Sequence, residues 1–247
     1  MAVEAPPRHA RPAPPARAAR VLRFGATERN LHTIHGVSFV VMFATGLVLW
    51  MPALAQLFSD RPLTKAIHLT AAGAWLTALA LLPILGDRRA LRRTRRELER
   101  FDADDRRWLR RVPSAPGRFN GGQKLHAVVQ AALAVLFTVS GTLLLLGERN
   151  TDLRLPGTIA LHDMAMLVAG VLVTGHVWIA MSPDKLPSVE GILRGTVPRA
   201  WAAEHHPRWV PDADPDAGAK RPGVARLAAA AAVVAAGAIV LVVFVFT

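Results

Sequence analysis

The chain alternates long apolar runs with short polar breaks marked by Pro and Gly. Five runs stand out, at about 31–51, 66–85, 124–146, 159–181 and 225–246. A helix rising 1.5 Å per residue needs about 20 residues to cross a hydrocarbon core of about 30 Å, so each run is long enough to span a bilayer. Pro52, Gly86, Gly147 and Pro183, residues that stop or turn helices, close the first four runs. The pattern predicts an all-α protein with five transmembrane helices. Ahead of the first run, residues 1–27 are rich in Pro, Ala and Arg and read as a disordered basic tail. Residues 210–224, rich in Pro, Asp, Ala and Gly, read as a linker to the last span. No short apolar core is followed by a small-residue cleavage site, so no cleaved signal peptide is expected.

Composition changes the picture in two ways. The 247 residues carry a formal charge of +12 although 52% are hydrophobic and 19% charged, with a pI near 11.6 and a mean hydropathy of +0.29. Such a pI in a soluble protein would point to nucleic acid, but the charge is distributed by segment. Counted between the spans, Lys and Arg fall 26 to 4 on alternate sides. The positive-inside rule then places the N-terminus in the cytoplasm and the C-terminus outside, and the charge becomes a topology signal with no nucleic-acid partner implied. Residues Asp87 to Arg111, with six acids among their Arg residues, read as a charged, solvated helix. The second change comes from cysteine. There is none, which excludes disulfides, iron–sulfur ligation, thiolate metal sites and Cys nucleophiles. Any metal or cofactor must rest on His, carboxylate or Met.

Histidines supply that chemistry. His32 and His35 open the first span, His68 the second and His126 the third, while His162 and His176 lie in the fourth. Side chains of this type at membrane depth are functional candidates, in contrast to single His residues capping a helix at the interface. With the N-terminus inside, His32 or His35 and His176 fall toward the cytoplasm, and His68 and His162 toward the outside. The fourteen residues from His162 to His176 make four turns less about 40°, so both project from nearly one face about 21 Å apart. One helix thus offers an imidazole at each of two depths, and each depth gains a partner from another span. A bis-His pair suits a low-spin haem with both axial positions filled, and two such haems make an electron path across the bilayer. Gly36, Gly46, Gly73, Gly170 and Gly175 on the same helices would admit a porphyrin, although small residues also serve helix packing.

Several segments resemble a known family, the gamma subunit of respiratory formate dehydrogenase, a diheme membrane cytochrome b. Glu28-Arg29-Asn30-Leu31-His32 is similar to the family's entry to its first helix and is followed by Thr45-Gly46 and Pro52. Arg118-Phe119-Asn120-Gly121-Gly122-Gln123-Lys124 resembles its basic-aromatic loop, and Glu204-His205-His206-Pro207-Arg208-Trp209 its His-His-Pro ending. The resemblance covers 28–209 and implies a transmembrane four-helix bundle holding two b haems. It assigns His32 and His176 to the inner iron, preferring His32 over His35, and His68 and His162 to the outer iron. It also implies a quinone, menaquinone or ubiquinone, near Asn120, Gly122 and, less directly, Gln123. Those three residues equally suit a helix-entry turn. His126 has no counterpart and is expected to be structural or close to a haem propionate. The span at 225–246 is an addition to the family's four and is expected to anchor or pack.

The implied function is a bacterial inner-membrane subunit without catalytic residues of its own. It would anchor a complex and pass electrons from an iron–sulfur subunit to quinone, while a molybdenum or tungsten subunit oxidises formate. The same helical His would suit the cytochrome of a hydrogenase, or of a thiosulfate or other sulfur reductase. A haem-free membrane scaffold or transporter is the reading from another class.

Overall fold

A computed structural model describes residues 20–58, 60–211 and 223–245. Its elements in chain order are β1 (Arg20–Leu22), α1 (Ala26–Trp50), α2 (Pro52–Phe58), α3 (Arg61–Leu85), α4 (Arg88–Glu99), α5 (Ala103–Leu109) and α6 (Gly121–Arg149). There follow α7 (Thr158–Ala180), α8 (Leu186–Arg194), β2 (Thr196–Pro198), α9 (Arg199–His205) and α10 (Val224–Val245). Among the described residues, α1, α3, α6, α7 and α10 are the five helices long and apolar enough to cross a membrane. Each covers one of the five apolar runs to within a residue. The sharp ends have local causes. Asp60 caps α3 by accepting from Leu63 N–H, Asp87 caps α4, and Asn120 caps α6 in a reciprocal pair with Gln123.

α3 packs between α1 and α10, α6 packs on α7, and α1 touches α7 to join the two groups. The fifth span is therefore a packing helix. A Cβ on Gly73 would strike Leu241, and one on Gly237 would strike Thr77, so α3 and α10 approach backbone to side chain. Arg226 ties the start of α10 to the end of α3 by donating to the carbonyls of Ile84 and Gly86, the latter at 2.9 Å.

A polar cap lies across one end of the bundle, and here two sequence expectations need correction. The expected tail 1–27 includes residues that are ordered. Arg20–Leu22 pairs antiparallel with Thr196–Pro198, and Arg23 is 2% exposed. The strand exists because Val21 and Val197 bury together with Ala202 under Trp201 and Trp209. Residues 1–19, and 212–222 of the expected linker, lie outside the described residues. Asp87 to Arg111 is not one solvated helix but two, broken at Arg100 to Asp102, and part of it is buried. Asp105 is 1% exposed and pairs with Lys124 at 2.6 Å. A carboxylate removed from water needs such a partner, which pins the break against α6.

Candidate functional site

The bundle brings four of the six membrane histidines into two facing pairs. The rings of His32 on α1 and His176 on α7 have centroids 6.4 Å apart, and those of His68 on α3 and His162 on α7 lie 6.5 Å apart. An iron midway between two imidazoles would need about 6 Å, from a metal–nitrogen distance of about 2.0–2.1 Å plus about 1 Å from each nitrogen to its ring centre. Both pairs match that span. His126 stacks flat on His176 at 4.6 Å, too close for a metal between them, and His35 faces Trp75 at 5.8 Å. Among the described residues no group of three or more His, Asp or Glu converges on one point. Two imidazoles per level suit an iron whose other four ligands come from a porphyrin, and not a bare ion needing a full protein shell.

Two hydroxyls orient the His68–His162 level. Thr45 Oγ1 donates to the Val41 carbonyl at 2.7 Å and lies 2.9 Å from His68 Nδ1. Ser140 Oγ donates to the Leu136 carbonyl at 2.7 Å and lies 2.8 Å from His162 Nδ1. Each hydroxyl has one proton and directs it to the helix backbone, so it accepts from the ring Nδ1–H. Both imidazoles then carry their free lone pair on Nε2, as a metal-binding His requires. Nothing in the spacing of the His residues points to Ser140. The signal available was a hydroxyl on the neighbouring helix at the same depth.

The glycines divide by role. A Cβ at Gly170 would strike the Phe43 ring and one at Gly73 would strike Leu241, so these two serve packing. A Cβ at Gly36, one turn from His32, or at Gly175, beside His176, would meet no atom within 4 Å. The side chains of His32 and His176 therefore stand beside backbone that a flat ring can approach.

The loop ahead of α6 is occupied by structure. Asn120 Oδ1 accepts from Gln123 N–H at 2.9 Å and Gln123 Oε1 accepts from Asn120 N–H at 3.1 Å. A Cβ on Gly122 would run into the Trp108 ring, and one on Gly121 into the Asp105 carbonyl. The cap leaves Asn120 its amide NH2 to donate. Asn120 stands six residues, or about 9 Å along α6, from His126 and so from the His176 level, on the side of the polar cap.

Below that loop the cap centres on Arg118, 5% exposed, which donates to Glu28 at 2.9 Å, to Glu97 at 2.7 Å and to the Thr94 hydroxyl. Arg23 donates to the Arg118 carbonyl at 2.9 Å and to His206 Nε2 at 3.0 Å, while His206 Nδ1 donates to the Gly117 carbonyl at 2.7 Å. Burial first, and then the Arg23 charge, hold the His206 ring neutral, with its pKa lowered to about 3. Burial and the neighbouring Arg118 bring Arg23 down to about 9. The motifs around Arg118 and His206 are thus one clamp, formed by segments 88 residues apart.

Comparison with known proteins adds to this geometry. The family described as prokaryotic cytochrome b561 matches residues 23–186. The chain belongs to that family. It is a membrane cytochrome b, and the family implies b-type haem. The chain is also similar to the formate dehydrogenase cytochrome b556(fdo) subunit of Escherichia coli K12, with 23% identity over 203 residues covering 76% of this chain and 91% of that subunit. The corresponding subunits of Escherichia coli O6:H1 and O157:H7 match to the same extent. The match of this cytochrome b561 to the family covers α1, α3, α6 and α7 and ends before α10.

Proposed function

We propose that this cytochrome b561 is the membrane subunit of a formate dehydrogenase type of complex, holding two b haems and delivering electrons to quinone. His32 with His176, and His68 with His162, would be the axial ligands. The two facing pairs, at 6.4 and 6.5 Å, carry the reading. Held by a pair of imidazoles, a b haem would supply one-electron uptake and release. Thr45 and Ser140 hold the two Nδ1–H groups and leave each Nε2 free to bind iron. Gly36 and Gly175 keep the space beside the other pair clear. The basic loops support a cytoplasmic side for the His32–His176 level and Asn120 and an outer side for the His68–His162 level. Asn120 and Gly122, with Gln123, would lie against the quinone head group, the Asn120 amide donating to a quinone carbonyl. Electrons would enter from an iron–sulfur partner outside, and the formate chemistry would belong to another chain. Residues 28–209 would form the diheme unit.

The test is haem content by pyridine hemochrome analysis, on the wild type and on the four single His→Leu variants. Two b haems per chain are expected, falling to one in each variant, with His32→Leu and His176→Leu losing the same haem. A wild type without b-type absorption bands despite haem supply overturns the reading. Co-purification from the native membrane decides the donor: a formate-oxidising partner supports the proposal, and a nickel or sulfur enzyme replaces it.

A further inference from the structure

The polar cap holds a cavity outside the histidine levels. It is an open cleft of about 770 Å³ between α4 and the segments 117–119 and 208–210. One wall is a row of arginines: Arg89, Arg92, Arg93, Arg96 and Arg100, spaced at helical intervals along one face of α4 and its end. Among the described residues, the acids nearby are already matched. Glu97 pairs with Arg118, Asp105 with Lys124, and Asp102 and Asp104 with Arg208. Among the described residues, the side chains of Arg89, Arg92, Arg96 and Arg100 make no ion pair, so one wall of the cleft holds concentrated positive charge. Exposed guanidinium groups stacked on one helix face repel one another, and a phosphate-bearing anion relieves that repulsion. Phe101, Phe119 and Trp209 also line the cleft and give it an aromatic wall beside Arg118, Lys124 and Arg208.

Position selects the anion. α4 begins three residues after the last residue of α3, a candidate span, and Lys124 on the cleft floor sits in the first turn of α6, another span. The cleft therefore opens at the edge of the bilayer, in the headgroup layer. Basic side chains there attract anionic lipid. The aromatic wall adds a surface for glycerol and the first methylenes of an acyl chain, which a soluble phosphate would leave exposed. We propose that the cleft is a binding site for the headgroup of a phospholipid bearing more than one phosphate, held by the arginine face of α4 against the Phe101–Phe119–Trp209 wall.

Native mass spectrometry of the detergent-purified full chain tests this, with tetraoleoyl cardiolipin, dioleoyl phosphatidylcholine and inorganic pyrophosphate as probes. Cardiolipin should stay bound where phosphatidylcholine does not. The combined variant Arg89→Gln, Arg92→Gln, Arg96→Gln, Arg100→Gln should weaken cardiolipin binding by roughly tenfold or more. A second combined variant, Arg106→Gln, Arg107→Gln, Arg110→Gln, Arg111→Gln, removes equal charge from exposed positions beyond the cleft and should bind as the wild type does. Equal retention of both lipids, equal losses in the two variants, or displacement of cardiolipin by equimolar pyrophosphate would each overturn the proposal. These readouts do not depend on haem, so they stand apart from the diheme reading.

Discussion

His162 and His206 are both imidazoles held through Nδ1, yet the chain uses them in opposite ways. Each donates its Nδ1–H, His162 to the Ser140 hydroxyl and His206 to the Gly117 carbonyl. The difference lies at Nε2. In His206 that nitrogen accepts from Arg23 at 3.0 Å, so both ring nitrogens are spent on the protein and the residue is a clamp. In His162 that nitrogen makes no hydrogen bond among the described residues, and the ring centres of His162 and His68 lie 6.5 Å apart, a distance that fits a shared metal. A histidine becomes a ligand candidate or a fastener through what its second nitrogen meets.

The strongest way to break the comparison is to exchange the histidines' fates. His176→Leu should remove one of two b haems, whereas His126→Phe should leave both, because His126 only stacks on the His176 ring. Haem-to-protein ratios check this, and a loss in His126→Phe would make His126 a ligand. Next in size is the clamp's centre. Arg118→Leu leaves the buried Glu28 carboxylate without its cation and should lower stability by about 3–5 kcal/mol, seen as a fall in the thermal midpoint.

Smaller effects sharpen the contrast within the bundle. Thr45→Val or Ser140→Ala removes the acceptor for one Nδ1–H, and haem affinity at the His68–His162 level should fall about tenfold or more. The other level should be untouched. Haem retention under competition by free imidazole measures both, and equal losses at both levels would deny the hydroxyls their orienting part. The smallest effect is pH dependence. His206 is held near 3 in the folded chain against 6.5 unfolded, so below 6.5 the unfolded chain takes a proton that the folded chain refuses. Its contribution is complete above pH 6.5 and declines as pH falls toward 3. The thermal midpoint should drop between neutral pH and about pH 5, and His206→Gln should flatten that slope.

The amino-acid pattern alone determined the five long helices, because a run of about twenty apolar residues has few alternatives to a span. It also marked His162 and His176, since a fixed interval of fourteen residues sets two side chains on one helix face whatever surrounds them, while the pattern by itself left His32 and His35 as alternatives. Tertiary structure decided what local pattern cannot encode. It set His126 against His176, turned His35 to Trp75, placed Ser140 under His162, and gave Asn120 and Gln123 to the start of α6. It drew Arg23 into a clamp with residues 95 and 183 positions away. Helix periodicity is a property of neighbours along the chain, while the partner of a ring nitrogen depends on which helices meet and at what depth.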